Sequence, residues 1–259
     1  MKKKYYIYAL LLFYINIIIF ADSDAYSSYV DYPFSVRFSD KEILFHEDKN
    51  AGEAIFSRAG QYTINYEYSV PFLTIDYDDG ENKKLLMLRD DTICALFNNN
   101  ELVFLGANTS FNRREGFVTP SRITATSYLV ENNVMYSPDV LTRKPRLDNP
   151  WVENVIGQGI GEKLFITNTI AIEMFISIGF VSFNRPYLYT MNSRPKEVRI
   201  SVDGKFSFIQ HLSDTPNYQK IIFPEGVINN DIIVIEILSV YEGTRYQDTC
   251  INNIIVKMW

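Results

Sequence analysis

The sequence is poor in the residue types that build covalent, metal and many catalytic sites. Its 259 residues include two cysteines, two histidines and two tryptophans. His46 and His211 are far apart and have no cysteine or acidic residue at ligand spacing, which disfavours a zinc site. No Gly-x-Ser-x-Gly elbow and no activated cysteine motif marks a nucleophilic enzyme. We therefore expect no catalytic residues, no bound metal and no cofactor.

The two cysteines leave two alternatives open. In an exported protein an even count suggests a disulfide between Cys94 and Cys250. However, the two residues fall in different predicted domains, and Cys94 lies in an apolar run that is typical of a buried strand. Buried thiols without a disulfide are common in protein cores, and we favour that alternative.

The chain also has no excess of positive charge. The chain has 25 basic and 31 acidic side chains, and loss of a leader with three lysines would leave 22 against 31, a net charge of −9. Nucleic acids and anionic membranes attract net basic surfaces. The charge therefore disfavours both as partners.

Only one long apolar run occurs, at residues 5–20, and it follows three consecutive lysines and ends at Ala21. A basic start, an apolar stretch and a small residue form the layout of a secretory signal peptide. The run is short for a membrane span. We expect residues 1–21 to be removed, giving a secreted or periplasmic, cell-envelope protein without a transmembrane span. An uncleaved anchor is the alternative.

Residues 22–115 are predicted to form a small antiparallel β-domain. Tyrosine and phenylalanine are abundant, with 18 residues each, and aromatic residues favour strands. Residues 22–42 are interpreted as a polar lead-in. From residue 43 to residue 106, alternating segments and turns such as Asp78-Asp79-Gly80 predict a meander of about five or six strands, forming a small barrel or a curled sheet.

A polar stretch at residues 107–115 predicts the boundary between two separable domains, because such boundaries fall in exposed polar linkers. Beyond it, strand-like runs alternate with polar loops. The longest loop is predicted at residues 131–150, just before Trp151. The glycines of Gly157-x-Gly-x-Gly161 lack the spacing of a nucleotide-binding motif and predict a tight turn.

Four motifs in the second half resemble a known family. They are Tyr-x-Gly-x-x-Tyr-x-Asp-Thr-Cys-Ile at residues 241–251, Trp-Val-Glu with Gly-Gln-Gly-Ile-Gly-Glu at residues 151–162, Tyr-Thr-Met-Asn-Ser-Arg-Pro-Lys at residues 189–196, and Asp214 with Gln219. In this order they resemble the discoidin-like domain (factor V/VIII type C, galactose-binding-like), and most nearly the translocation domain of bacterial NAD glycohydrolases. The resemblance runs from near Ile123 to Lys257.

The resemblance implies an all-β protein in which residues 116–259 form a discoidin-like jelly-roll sandwich with ligand loops at one end. The resemblance implies only a binding module for this chain, without NAD-cleaving activity, since no residue set for NAD chemistry stands out. One departure concerns calcium: the family tends to have Ser-Glu where this chain has Asn252 and Asn253. The missing carboxylate puts in doubt any calcium site that used it.

The function implied by this resemblance is binding of a glycan or cell-surface carbohydrate, without catalytic activity. The candidate ligand contacts are Trp151, Asn192, Arg194, Tyr246 and Asp248. Aromatic rings would cover a sugar face, while amide, guanidinium and carboxylate groups would bond its hydroxyls. A structural role is the alternative for three of them, with Trp151 in the core and Arg194 paired with Asp248.

Two other functions stay open. The chain could be an envelope structural or assembly protein that binds another protein, or a hydrolase that uses a carboxylate pair. Binding to a panel of glycans separates the first alternative from carbohydrate recognition. Release of sugar from polysaccharide tests the second.

Overall fold

The structure, a computed structural model, describes most of the chain after the predicted leader. The described residues are 24–28, 34–50, 53–108, 116–167, 169–202, 205–224, 228–229 and 231–258. The predicted signal peptide and residues 109–115 of the predicted boundary therefore lie outside the described residues.

The N-terminal half folds into a closed antiparallel barrel. Its described strands are β1 Asp24–Ser28, β2 Phe34–Phe38, β3 Glu42–Asn50, β4 Glu53–Glu67, β5 Val70–Tyr77, β6 Asn82–Arg89, β7 Ile93–Asn98 and β8 Glu101–Asn108. Neighbours in sequence pair with one another, and β1 also pairs with β8, which closes the sheet. Gly80 has a φ of +89° after β5, so the turn predicted there is confirmed.

The prediction that residues 22–42 form a polar lead-in is wrong, since they supply β1 and β2. Tyr26, Val36 and Phe38 point into the barrel and are buried. Without these two strands, β8 and β3 would both be open edges with unpaired backbone groups. The barrel therefore has eight strands within the described residues rather than five or six.

The central parts of β5, β6 and β7 are buried on both of their faces, whereas β8 keeps exposed residues such as Val103. One set of alternating residues fills the barrel interior, including Leu73, Leu85, Cys94 and Leu96. The other set lies on the outer face, in a cluster made of Val70, Phe72, Leu86, Leu88, Ile93, Ala95, Phe97, Leu102 and Ala107. Strand segments that are buried on both faces appear in sequence as continuous apolar runs.

The C-terminal half is a sandwich of two antiparallel sheets. Its described strands are β9 Gly116–Val118, β10 Arg122–Ala125, β11 Val130–Glu131, β12 Val134–Met135, β13 Trp151–Val152, β14 Lys163–Thr167, β15 Ile170–Ala171, β16 Glu173–Ile178, β17 Arg194–Val202, β18 Phe206–His211, β19 Gln219–Ile222, β20 Ile228–Asn229, β21 Ile233–Tyr241 and β22 Cys250–Met258, with a 3-10 helix at Pro138–Thr142 and helix α1 at Leu188–Met191. The all-β prediction is confirmed.

The order β10-β14-β21-β17-β18 forms one sheet and β13-β22-β16-β19 forms the other, with β9 added beside β22. The inward positions of both sheets are Ile, Leu and Val, and they form one continuous core between the sheets. Residues 131–150, predicted as a structureless loop, carry β12 and the 3-10 helix, and β11 ends at Glu131.

The barrel and the sandwich share a hydrophobic cluster. The outer face of β5 to β8 packs against sandwich residues Phe117, Leu147, Phe175, Val181, Tyr189, Tyr218 and Ile255. The division into residues 22–115 and residues 116–259 stays a prediction. Because the two halves bury apolar surface against each other, we now expect the second half to depend on the first for its solubility.

The cysteines lie in separate clusters. Cys94 is buried inside the barrel, while Cys250 is buried with Val152 and Phe180 in the sandwich. The disulfide alternative is therefore wrong. No helix within the described residues is long and apolar enough to cross a membrane.

Candidate functional site

Four loops of the sandwich gather at one end, which we call the loop end. Strand register places them there, because Ala125 pairs with Leu164, Val152 with Cys250, and Arg194 with Tyr241 at the strand termini. The loops are residues 126–150, 153–162, 179–193 and 242–249. Gly116 and Met258 pair at the opposite end.

Trp151 lies in the sandwich core and is 0% exposed. Its indole Nε1 donates a hydrogen bond to the carbonyl oxygen of Ser127 at 3.1 Å, which satisfies the ring's one donor and anchors the loop before β11. A ring without exposed surface offers no face to a sugar. Trp151 therefore has the structural role that the sequence left open, and we remove Trp151 from the candidate ligand contacts.

Asn192 and Arg194 are both buried in a frame of backbone bonds. The Asn192 amide donates to the Leu188 carbonyl at 2.9 Å and ends helix α1. The Arg194 guanidinium donates to the carbonyls of Tyr189 at 3.0 Å and of Asn192 at 2.6 Å. These bonds fix the path of residues 189–194.

The ion-pair partner of Arg194 is Asp214. Two bonds join the guanidinium to both carboxylate oxygens, at 2.7 and 3.0 Å. Arg194 is 5% exposed and Asp214 is 40% exposed, so the pair lies at the rim of the core. The alternative that Arg194 pairs with Asp248 is wrong, although its premise of a structural ion pair holds. A planar bidentate pair of this kind fixes geometry as well as charge.

Tyr246 and Asp248 lie in the loop between β21 and β22, which is bonded to residues 191–193. Ser193 N–H donates to the Asp248 carbonyl at 2.9 Å, and Tyr246 N–H donates to the Met191 carbonyl at 2.8 Å. The structure therefore brings four of the five predicted residues into one neighbourhood. Of these four, Tyr246 and Asp248 are the ones with exposed or half-exposed side chains.

Glu153 is a buried acid that joins two of the loops. Its carboxylate accepts the backbone N–H of Val155 at 2.8 Å and that of Thr249 at 3.1 Å. Burial raises the pKa of Glu153, while the two N–H bonds act in the opposite direction. At Gly159 a Cβ atom would lie 2.5 Å from the Glu153 side chain, and φ there is +67°. The tight turn predicted for the glycines is thus confirmed, with Glu153 as its support.

We call Glu153, Asn192, Arg194, Asp214 and Thr249 the frame, because their polar atoms are bonded to backbone or to each other. A second group lies beside the frame, and we call it the open face: Glu131, Tyr136, Asp148, Arg185 and Asp248. The Tyr136 ring packs edge-on against Phe180, with centroids 5.9 Å apart. Arg185 donates to Asp148 at 2.5 Å, and both side chains are partly exposed. Asp148 has a φ of +66°, so its backbone adopts the left-handed region.

Two titratable groups of the open face, Tyr136 and Asp248, have raised pKa values. Burial raises the pKa of Tyr136, and the charges of Arg185, Asp148 and Glu131 also act on it. Burial likewise raises the pKa of Asp248, to which Glu131 adds. Raised acid pKa values beside a half-buried ring indicate a surface whose charges are incompletely solvated.

The open face combines the groups that recognise a hydroxylated ring. Tyr136 offers an aromatic surface, and Glu131, Asp148 and Asp248 offer carboxylate acceptors. Arg185 offers donors in a planar fork. Within the part of the chain that the structure describes, no set of three or more acidic, histidine or cysteine side chains could hold a metal ion.

Sequence reasoning found Asp248 but missed Tyr136, Arg185 and Asp148. Arg185 and Asp148 are 37 positions apart, and Tyr136 falls inside the stretch that the sequence predicted to be without structure. The available signal was the density of Arg, Asp and Asn around the prolines of residues 138–150. That signal indicates a functional loop without selecting its residues.

Comparison with known proteins gives a match to one family model and matches to solved structures. Residues 115–257 match the family model described as NAD glycohydrolase translocation F5/8 type C domain, which confirms the resemblance carried by the four motifs. Among solved structures, the family 32 carbohydrate-binding module of C. perfringens NanJ, solved in complex with galactose, is 13% identical. That alignment covers 55% of this chain and 98% of that chain, with a TM-score of 0.40. A search of the curated proteins finds no match.

Proposed function

The chain belongs to the NAD glycohydrolase translocation F5/8 type C domain family, and we propose on that premise that it is an exported, non-catalytic glycan-binding protein. The ligand binds at the open face. The observation that carries the proposal is the half-buried Tyr136 ring with carboxylates and a guanidinium around it. Sugar sites combine an apolar ring with a few polar groups that fix orientation.

The experiment is a glycan array followed by titration calorimetry with the sugar that binds. Tyr136→Ala removes the ring and should weaken binding by about tenfold or more, as expected for an aromatic residue central to a contact. Tyr136→Phe keeps the ring and isolates the contribution of the hydroxyl. Ile209→Ala, on the exposed side of β18, is the distant control and should bind like the parent. Equal affinity of the parent and Tyr136→Ala would remove the open face as the site.

Export is the second part of the proposal. It rests on the basic, apolar and small-residue order of residues 1–21. Mass spectrometry of protein recovered from the medium or envelope should find a chain that begins at or near Asp22. An intact Met1 would mean that the segment is retained as an anchor.

The absence of catalysis is the third part. The charge of Glu131 adds to the raised pKa of Asp248, so the two carboxylates are neighbours and the carboxylate-pair hydrolase stays a rival. Incubation with NAD and with the bound glycan should release no product. Turnover that disappears in Asp248→Asn would replace the binding module with a hydrolase.

Recognition of another protein is the second candidate function, and one observation favours it. Ile156 is fully exposed at the tip of the glycine loop, and Val155 and Ile160 beside it are also exposed. Solvent-exposed apolar side chains of this kind are typical of protein contacts. If the parent binds no glycan but is retained by envelope extract, and Ile156→Asp is not retained, this candidate replaces carbohydrate binding.

A further inference from the structure

A pair of tyrosines lies outside the open face, where the barrel meets the loop end. Tyr68 belongs to the turn between β4 and β5, and Tyr187 immediately precedes helix α1. Their ring centroids are 6.2 Å apart, with the rings nearly perpendicular. Tyr68 is 59% exposed. We call Tyr68 and Tyr187 the aromatic platform.

The backbone at Tyr68 is unfavourable for a tyrosine. Tyr68 has a φ of +51° and Ser69 has a φ of +67°. A two-residue hairpin turn with both φ values positive favours Asn followed by Gly, because other side chains meet the backbone there. A bulky residue in the left-handed region is uncommon and strained. The ring is mostly exposed, so packing of the barrel core does not account for it.

Polar groups lie along the chain segments that carry the platform. Lys84 pairs with Glu67, which precedes Tyr68, at 2.5 Å, and lies 3.9 Å from the centroid of the Phe72 ring. Phe183 N–H donates to Asn100 at 3.0 Å, and Asn100 belongs to an open cleft of about 180 Å³ between the barrel and the sandwich. The cleft is lined by Asn100, Arg146, Leu147, Asp148 and Asn149. Hydroxyl groups of a bound ring would find both donors and acceptors here.

The platform is continuous with the open face. Tyr187 touches Tyr68, while the next residue, Leu188, packs in the cluster that contains Tyr136. Asp148 lines the cleft and also pairs with Arg185 of the open face. One loop, residues 183–191, thus carries side chains of both surfaces.

We propose that the aromatic platform is a second sugar subsite, so that the ligand is an oligosaccharide bound across both halves of the protein. The inference rests on the proposed function, because it extends the same ligand. The barrel then contributes to recognition through Tyr68, although it lies outside residues 115–257 that match the family model. Single sugars occupy the open face alone.

The test uses the double substitution Tyr68→Asn with Ser69→Gly in the full mature chain. The change removes the ring and gives the turn its preferred residues, so melting temperature should rise while oligosaccharide affinity falls. The probes are galactose, glucose and N-acetylglucosamine, each with its β-1,4-linked tetramer. The parent should bind one of the tetramers about tenfold more tightly than its monomer, and the variant should bind both alike.

The outcomes separate the two proposals. If the parent binds a tetramer and the variant keeps that affinity, the platform is not a subsite and the proposed function still stands. If the parent binds monomer and tetramer equally, the inference fails in the same way. If the parent binds neither these probes nor any glycan of the array, the proposed function fails and the inference with it. If it binds another glycan of the array, that glycan and its single sugar replace the probes. Should the double variant not fold, Tyr187→Ala tests the same expectation without changing the turn.

Discussion

Two polar regions lie side by side at the loop end and differ in how their groups are used. The frame consists of Glu153, Asn192, Arg194, Asp214 and Thr249, whose polar atoms are bonded to backbone or to each other. The open face has side chains that are exposed or half-exposed, a partly exposed ion pair and one carboxylate, that of Asp248, whose pKa is raised by burial. Both regions use the same residue types. Satisfied hydrogen-bonding capacity therefore separates structural from ligand-facing residues better than residue type does.

The comparison is sharpest for the two arginine–aspartate pairs. Arg194 is 5% exposed and makes four hydrogen bonds, two of them to backbone carbonyls. Arg185 is 47% exposed, and the one described hydrogen bond of its guanidinium is to Asp148. A buried pair broken on one side leaves a charge without compensation, whereas an exposed pair is replaced by water.

Removal of the barrel should disturb the frame and the open face more than any single substitution does. Leu147, Val181 and Tyr189 belong to loop-end segments and also pack in the cluster shared with the barrel. A fragment of residues 116–258 exposes that cluster, and we expect it to aggregate where the full mature chain is soluble. Size-exclusion chromatography of the two proteins measures this. A monomeric fragment that melts like the full chain would show that the sandwich holds its own frame.

Glu153→Ala should have the next largest effect. It leaves the buried N–H group of Thr249 and the partly buried N–H group of Val155 without acceptors, at roughly 2 and 1.5 kcal/mol, so the free energy of unfolding should fall by about 3.5 kcal/mol. Urea denaturation measures the loss. Glu162→Ala is the matched control, because Glu162 accepts two side-chain hydroxyls that can turn to water. Similar losses in both variants would contradict the role of Glu153 in the frame.

Asp214→Asn should reduce the free energy of unfolding by about 3 kcal/mol, near the low end for buried pairs because Asp214 keeps contact with water. The matched variant Asp148→Asn breaks the exposed pair at a position where Asn tolerates the left-handed backbone. We expect it to cost less than about 1 kcal/mol and to weaken glycan binding. Equal losses in the free energy of unfolding for the two variants would contradict the distinction between the frame and the open face.

Asp248→Asn should have the smallest effect on stability, below about 0.5 kcal/mol, and should weaken glycan binding by about tenfold. Burial raises the pKa of Asp248 above its unfolded value, so the folded state holds the proton more tightly. The parent therefore loses stability as pH rises from about 4 through the folded pKa, and Asn does not.

Melting curves of the parent and Asp248→Asn between pH 3 and pH 7 test the direction of this pH dependence of stability. The two proteins should melt alike at the acid end, and the variant should be equal or more stable at the neutral end. A variant that is less stable at neutral pH would indicate that the carboxylate has a stabilising partner. Asp248 would then belong to the frame.

Much of the sandwich was predictable from local pattern. Runs such as residues 233–238 are β-branched and short, and they became strands because alternate residues face a core between two sheets. Turns with glycine were also predictable, since positive φ excludes most other residues. The apolar pattern did not show where β10 ends: it stops at Ala125, because residues 126–129 leave the sheet to bond the loops.

The barrel was less predictable. Phe34–Phe38 alternates apolar and polar residues, yet a five-residue strand carries little signal without its neighbours. Closure depends on the pairing of Ser27 with Ala107, which are far apart in sequence. The apolar run around Cys94 did indicate a buried strand, but the surface that covers its outer face lies in the other half of the chain.

The sequence by itself determined the all-β class, the strand and turn pattern of the sandwich, the family and the neighbourhood of Asp248, because each depends on residues close together in the chain. Tertiary structure decided that β1 and β2 close the barrel, that Trp151 is buried and that Arg194 pairs with Asp214. It also decided that Tyr136, Arg185 and Asp148 meet. Burial and ion pairing depend on which surfaces folding brings together. A local sequence pattern does not specify which distant residue will pair with a given charge.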